Sequence, residues 1–422
     1  MLSIFIETLK MNPILSILGS TLLSGSRIEG NRDFMYCLME NKAHNNAFSS
    51  KGTFANAIEL NNLCSHFRGD LRRDCMNYMD VPSFDKDRSS CMEYLDMNVK
   101  NQSEHTEKWS KFIDYMMDYD KIYDNDYEIT SRFNIFHDNL EWMAEHNRDS
   151  SHTYSVGIGR FADMTHNEYK DFVKSGGLMV PNESNNLRLP KDMCGTMTSQ
   201  SGSYPAKMDW REKGIIGPIR DQGQCGSCYA HAAVENIEAV NAIKTGKFTS
   251  FSVQETVDCS YSYGDNGCNG GWYFYVWSFI HSEGITYDNL YPYTATSSRG
   301  SCQDFKPYLY VSDCKHVPAN ELQLTYAVAK QPVAVAIEAD SRSFQHYTSG
   351  VYNDPACGST LDHAVHAVGY STDSSGQDYW IIANSWDVSW GDNGYIYLAR
   401  NSVATSTVGQ CGIAMKTGYS IV

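Results

Sequence analysis

One cysteine in this sequence stands in a segment suited to activating it. The run Gln222-Gly223-Gln224-Cys225-Gly226-Ser227-Cys228-Tyr229 opens a helical pattern that reads as Cys225 to Lys244, Ala-rich with Val234, Ile237 and Val240 on one side. A thiol at a helix N-terminus lies near the positive end of the macrodipole and beside unsatisfied N–H groups, and both favour thiolate over thiol. Cys228 fits that position. A free cysteine is more often a small buried hydrophobe, so the reactive reading needs a base. Far along the chain, Asp362-His363-Ala364-Val365-His366-Ala367-Val368 enters a strand-like run and Asn384-Ser385-Trp386 follows it. An imidazole on a β element can face a helix-borne thiol, and Asn384 can accept from or donate to the second ring nitrogen and so fix the tautomer. Trp386 would shield that bond from water.

These groups need elements to hold them. Val333 to Ile337, Ala364 to Val368, Tyr379 to Ala383 and Tyr395 to Ala399 are strand-like runs bounded by Gly, Asp and Asn. A helical half followed by a β half is an α+β arrangement, and a cleft between the halves is a natural site. Upstream, Trp109, Phe112, Tyr115, Met116 and Tyr119 give helical steps before a turn near Asp124-Asn125-Asp126. In the next helix Glu128, Arg132, Phe136, Asn139, Met143 and Asn147 share one side, with Phe136 and Met143 inward and Glu128 spaced to pair with Arg132. Ser175-Gly176-Gly177, Pro181 to Asn186 and Ser199 to Ser203 read as a linker by composition.

The chain of 422 residues predicts at least two folding units, and 42% apolar content with 28 Tyr and 8 Trp is globular composition. A net charge of −16, with no basic stripe, argues against a nucleic-acid partner. Thirteen cysteines with a single C-x-x-C, Cys225 to Cys228, suggest a disulfide framework in an oxidising compartment with one thiol left over. Lys10 and Met11 precede a short apolar stretch, Ile14 to Leu18 and then Leu22-Leu23, so residues 1–26 read as a candidate signal peptide. It is too short to span a bilayer, and no membrane span is expected. Residues 30–98 carry Cys37, Cys64, Cys75 and Cys91, which permit three pairings, and a helix-like stretch from Leu71 to Met79.

Cys-Gly-Ser-Cys-Tyr, then His363, then Asn384, in that order and at that separation, resembles the papain family of cysteine proteases. Cys268-Asn269-Gly270-Gly271 and the stretch from Trp386 to Trp390-Gly391 add further motifs, and the likeness covers about residues 204–422, closest to the cathepsin L-like endopeptidases. Residues 109–163 resemble that group's inhibitory propeptide, the six-residue helical face matching its first motif with Met143 in the Ile place. Gly157, Phe161 and Asp163 match its second, although Gly159 stands where Asn is usual. The resemblance implies a two-lobed papain-like fold, a helical lobe plus a β-barrel-like lobe, in a zymogen. Its parts are a helical propeptide over 105–175, a linker with the activation cleavage over 176–203 and a catalytic domain over 204–422.

The same resemblance assigns roles. Cys228, His363 and Asn384 would be catalytic, with His366 left to packing or surface; Gln222 would share the oxyanion with the Cys228 N–H. Gly270, Gly271, Trp272, Tyr273, Ala336, Leu361, Asp362, Ala364, Trp386 and Lys416 would bind substrate. Lys416 at the base of the pocket for the residue two before the cleaved bond would either repel basic residues or point into solvent. Implied disulfides are Cys225–Cys268, Cys259–Cys302 and Cys357–Cys411, with Cys194–Cys314 resembling an additional pair of mite digestive proteases, the group 1 allergens. Cys194 would then stay in the mature chain, placing activation cleavage at about residues 180–193. No metal or cofactor is implied. Expected partners are protein and peptide substrates and the chain's own propeptide; a monomer of the secretory pathway, lysosomal, vacuolar or extracellular, is expected. Two residues depart from the family, Tyr229 for Trp and His231 for a buried Phe, and His231 is expected to bond a neighbour. Competing readings are a thioredoxin-like dithiol at Cys225 and Cys228, and an inactive binding relative. Asn101-Gln102-Ser103 and Asn182-Glu183-Ser184 are candidate glycosylation sites.

Overall fold

A computed structural model describes residues 103–181, 193–297, 302–401 and 408–422. The candidate signal peptide, the four-cysteine extension, both sequons' asparagines and most of the cleavage window lie outside those residues. The chain divides into two compact units, one ending at Asp138 and one beginning at Asn139.

In the first unit, helix α1 (Ser103–Asp118) is followed by α2 (Asp126–Arg148), which continues into the second unit. Trp109 stacks on Phe133 at 4.0 Å and Tyr115 on Phe136 at 4.8 Å, so the apolar stripes of the two helices meet. The Glu128 carboxylate accepts from the Asp124 N–H at 2.8 Å and closes the turn between them.

In the second unit the end of α2 is tied down by polar bonds. Asn139 Nδ2 donates to the Ala162 and Met164 carbonyls, both at 2.9 Å, and Asn147 exchanges two hydrogen bonds with the backbone of Val156. Met143, Phe161 and Asp163 are buried, and the Gly157 N–H donates to the His346 carbonyl at 2.8 Å. Strand β1 (Tyr154–Val156) precedes α3 (His166–Ser175), which starts with a reciprocal capping box between Thr165 and Glu168.

Next come β2 (Gly195–Thr196), β3 (Met208–Asp209) and three helices, α4 (Cys228–Thr245), α5 (Val253–Cys259) and α6 (Tyr273–Glu283). The rest is β4 (Asp313–His316), α7 (Glu321–Val328), β5 (Val333–Ile337), α8 (Arg342–Gln345), β6 (Tyr347–Tyr352), β7 (His363–Thr372), β8 (Asp378–Ala383), β9 (Tyr395–Ala399) and β10 (Thr417–Ile421). The strands form one sheet in the order β1-β6-β9-β8-β7-β5-β10-β4-β2, with β3 on β7. All pairs are antiparallel except β6 with β9 and β2 with β4. The first eight residues of β7 are buried, which explains its apolar run: a central strand covered on both faces cannot alternate. Helix α4 packs on β7, β5 and β10.

Two boundaries differ from the sequence reading. Helix α4 starts at Cys228 and not Cys225, because a disulfide to Cys268 and a bridge from Gly226 to Asn269 hold the preceding residues in a non-helical path. Parts of the compositional linker belong to the fold: Leu178 bridges Gly271, and β2 adds a strand beside β4. Glycine there serves close backbone approach rather than flexibility.

Candidate active site

Cys228 is the first residue of α4, fully buried, and the one free cysteine among the described residues. Cys225 is bonded to Cys268, so the Cys225–Cys228 dithiol reading fails: one of its two sulfurs is already taken. The bridges Cys194–Cys314, Cys259–Cys302 and Cys357–Cys411 account for the other described cysteines.

His363 opens β7, the strand packed on α4, the helix that Cys228 begins. The ring's Nε2 lies 2.8 Å from Asn384 Oδ1. A carbonyl oxygen only accepts, so Nε2 carries the proton and Nδ1 keeps its lone pair, with no partner among the described residues. The Ser385 N–H donates to the same oxygen at 2.8 Å and helps hold the amide in that orientation. Trp386 lies over the His363 ring, centroids 4.5 Å apart and planes at 23°. His366, three residues on, is buried with Nδ1 3.9 Å from Glu235 Oε2 on α4, so it is a packing residue and not a surface one.

Gln222 is held on three sides. Its N–H donates to the Ser385 carbonyl at 2.9 Å, its Oε1 accepts from Ser385 Oγ at 2.8 Å, and its Nε2 donates to the Cys225 carbonyl at 3.0 Å. That leaves the second amide hydrogen for another acceptor. Ser385 was not singled out from the sequence; adjacency to Asn384 was the available signal.

Burial dominates the electrostatics. It pushes the Cys228 thiol up to about 12, against the Ala364, Tyr229 and Cys228 backbone N–H groups, which favour the thiolate. It pushes His363 down to about 4, against the Asn384 bond. In this covered form burial favours the neutral state of both groups and opposes the pull of the helix terminus on the thiol.

The cover is the chain's own upstream segment. The Gly271 N–H donates to the Gly177 carbonyl at 2.7 Å and the Met179 N–H donates to the Gly271 carbonyl at 2.8 Å. Phe161, Tyr169 and Phe172 surround Trp386 at centroid distances of 5.4, 6.1 and 5.7 Å, and Arg160 donates to Asp221 Oδ1 and the Trp386 carbonyl, both at 2.8 Å.

Trp272, Tyr273, Ala336 and Ala364 share one buried apolar cluster with Cys228, and Leu361 and Leu178 pack against it. The glycine segment is braced from below, where buried Asp265 accepts the Trp272 N–H at 2.8 Å. The Asp362 carboxylate accepts from the Ala339 N–H at 2.8 Å. The Lys416 carbonyl accepts from Tyr273 Oη at 2.7 Å; burial foremost, and then the Lys416 charge, hold His316 down to about 4.

Residues 204–421 match the papain family of cysteine proteases, and residues 112–169 match the cathepsin propeptide inhibitor domain. This chain belongs to the papain family. It is a thiol protease, a hydrolase, made as a zymogen with an inhibitory propeptide. It is 40% identical over 325 residues to the probable cysteine protease RD21C of Arabidopsis thaliana, covering 76% of this chain and 69% of that one. To ananain of Ananas comosus it is 37% identical, over 73% of this chain and 86% of the relative. Among solved structures, digestive procathepsin L 3 of Tenebrio molitor larval midgut superposes with a TM-score of 0.67 at 33% identity, over 75% of this chain and 99% of that one. The protease thus has the α+β papain fold.

Proposed function

We propose that the protease is an endopeptidase whose nucleophile is Cys228, with His363 as base and acid and Asn384 as the group that orients it. The observation that carries this is the His363–Asn384 bond, which directs the bare Nδ1 away from Asn384 on the strand that packs against the thiol's helix. Once the cleft is open, the Cys228 proton passes to His363 Nδ1, and the Cys228 thiolate, paired with the His363 imidazolium, attacks a peptide carbonyl. The oxyanion is met by the free amide hydrogen of Gln222 and the Cys228 N–H. The tetrahedral adduct collapses, the C–N bond breaks, and the imidazolium gives its proton to the leaving amine. Water, deprotonated by the same imidazole, then cleaves the thioester and restores the thiol.

Gly270, Gly271, Trp272, Tyr273, Ala336, Leu361, Asp362, Ala364, Trp386 and Lys416 form the substrate cleft in this reading, whose mostly apolar walls suit an apolar or aromatic side chain. Four disulfides among the described residues support service in the secretory pathway, lysosomal, vacuolar or extracellular. The test is acid activation followed by an irreversible epoxide inhibitor of thiol proteases. Labelling at Cys228 alone with loss of peptide cleavage is expected; labelling elsewhere, or cleavage that survives labelling of Cys228, would overturn the assignment.

A further inference from the structure

The buried histidine one turn into α4 is not isolated. His231 Nδ1 lies 3.0 Å from the Ser227 carbonyl, at the residue just before Cys228, and 3.4 Å from Ser227 Oγ. Ser227 Oγ is 2.6 Å from Tyr293 Oη, and Tyr293 Oη is 2.9 Å from the Gln222 carbonyl. Proton counting sets the donors. The Gln222 carbonyl only accepts, so Tyr293 spends its single proton there; the Ser227 hydroxyl then donates to the Tyr293 oxygen at 2.6 Å, a much shorter contact than the 3.4 Å to its other acceptor, the Cys225 carbonyl. The Ser227 carbonyl likewise only accepts, so His231 Nδ1 carries a hydrogen directed at it. Burial pushes His231 down to about 3, which keeps the ring neutral and this tautomer fixed. The His231 ring also meets Tyr293 edge-to-face, centroids 4.9 Å apart.

The two ends of this chain are the supports of the two oxyanion donors. One end is the backbone of Gln222; the other is Ser227, whose peptide unit supplies the Cys228 N–H. We propose that His231 and Tyr293, bonded respectively to the carbonyl and the hydroxyl of Ser227, form a hydrogen-bond relay that fixes the spacing between Gln222 and the Cys228 N–H, making His231 and Tyr293 positioning residues for acyl transfer. The proposal rests on the nucleophile and oxyanion assignments above. A phenylalanine in place of His231 would fill the space but remove the side-chain donor from the Ser227 carbonyl, leaving it only the Ala230 and His231 N–H groups at 2.9 and 3.1 Å.

The test uses activated enzyme and three variants, Tyr293→Phe, His231→Phe and His231→Gln. Turnover of a peptide substrate, the alkylation rate of Cys228 by iodoacetamide and the affinity of a peptide aldehyde are measured. Alkylation needs the thiolate but no oxyanion hole, whereas the aldehyde's thiohemiacetal oxygen occupies it. Tyr293→Phe is expected to lower kcat and aldehyde affinity together by about ten-fold, less than loss of a direct donor, with KM and alkylation within about two-fold of wild type. His231→Phe should move the same way, and His231→Gln, which keeps an N–H donor, should recover part of the loss. Unchanged kcat in Tyr293→Phe, or alkylation falling in step with kcat, overturns the relay. Tyr293→Phe removes one oxygen from a half-buried ring, so it decides the matter even where a His231 variant fails to fold. If alkylated wild-type enzyme still turns over substrate, the nucleophile assignment has failed rather than the relay.

Discussion

Leu178 pairs with Gly271 in a parallel bridge, so the upstream segment uses both backbone hydrogen-bonding groups of a glycine assigned to the substrate cleft. The approach is possible because Gly177 has φ +94°, and a Cβ there would lie 2.1 Å from the Gly226 carbonyl oxygen. A side chain at position 177 cannot be accommodated without moving one of two backbones.

Gly177→Val should therefore loosen the cover. With strain of about 1–3 kcal/mol, basal cleavage of a small peptide by the intact proenzyme should rise about ten-fold or more. Assay of uncleaved protein checks this, and an unchanged basal rate would mean that the segment does not gate the cleft.

Covering also sets protonation. With the thiol up at about 12 and the imidazole down at about 4, the proenzyme holds a neutral pair between those limits. Opening the cleft readmits water, which lowers the first value and raises the second. Iodoacetamide should modify activated enzyme quickly near about pH 6, while the proenzyme should react slowly until strongly alkaline pH. Equal rates at that pH would contradict the account.

Cys228→Ala should abolish turnover. Gln222→Ala should leave residual activity lower by about 10²–10³, since one of two oxyanion donors survives. Steady-state kinetics separates the two variants; equal losses would refute the division of roles.

Buried Asp265 has its carboxyl raised to about 8, chiefly by burial and against the Trp272 N–H bond. Its folded value exceeds the unfolded one near 3.8, so its contribution to stability is full below that and lost as pH rises towards 8. In a Cys228→Ala background, Asp265→Asn should shrink the drop in Tm between about pH 4 and pH 8. Thermal unfolding at both pH values tests this; an unchanged drop would show that Asp265 does not titrate in that window.

Cys194 is bonded to Cys314 while Gly195 and Thr196 lie along β4. Cleavage beyond Cys194 would leave the propeptide attached through sulfur. The mature N-terminus is therefore expected at about residues 180–193, read by terminal sequencing with non-reducing electrophoresis. A mature chain beginning beyond Cys194 would overturn this.

Much of the architecture was legible because it rests on local pattern. The helical stripe through Phe136 and Met143, the runs that became β5, β7, β8 and β9, and the order Cys228, His363, Asn384 all stand in the sequence as periodicity, residue type and spacing.

Long-range contacts were not legible in this way. Nothing near Gln222 announces Ser385 as its partner, nor does anything near His231 announce Tyr293. The start of α4 was misplaced for the same reason, since Cys225 is held out of the helix by Cys268. The charge state of the site was decided by tertiary structure too. A helix N-terminus favours thiolate wherever it occurs, but the solvation that competes with it depends on what covers the sulfur. Residue types supply a thiol, an imidazole and an amide in the right order; the folded chain sets their surroundings, and with its own segment over them burial favours the uncharged forms by removing the water that would stabilise charge.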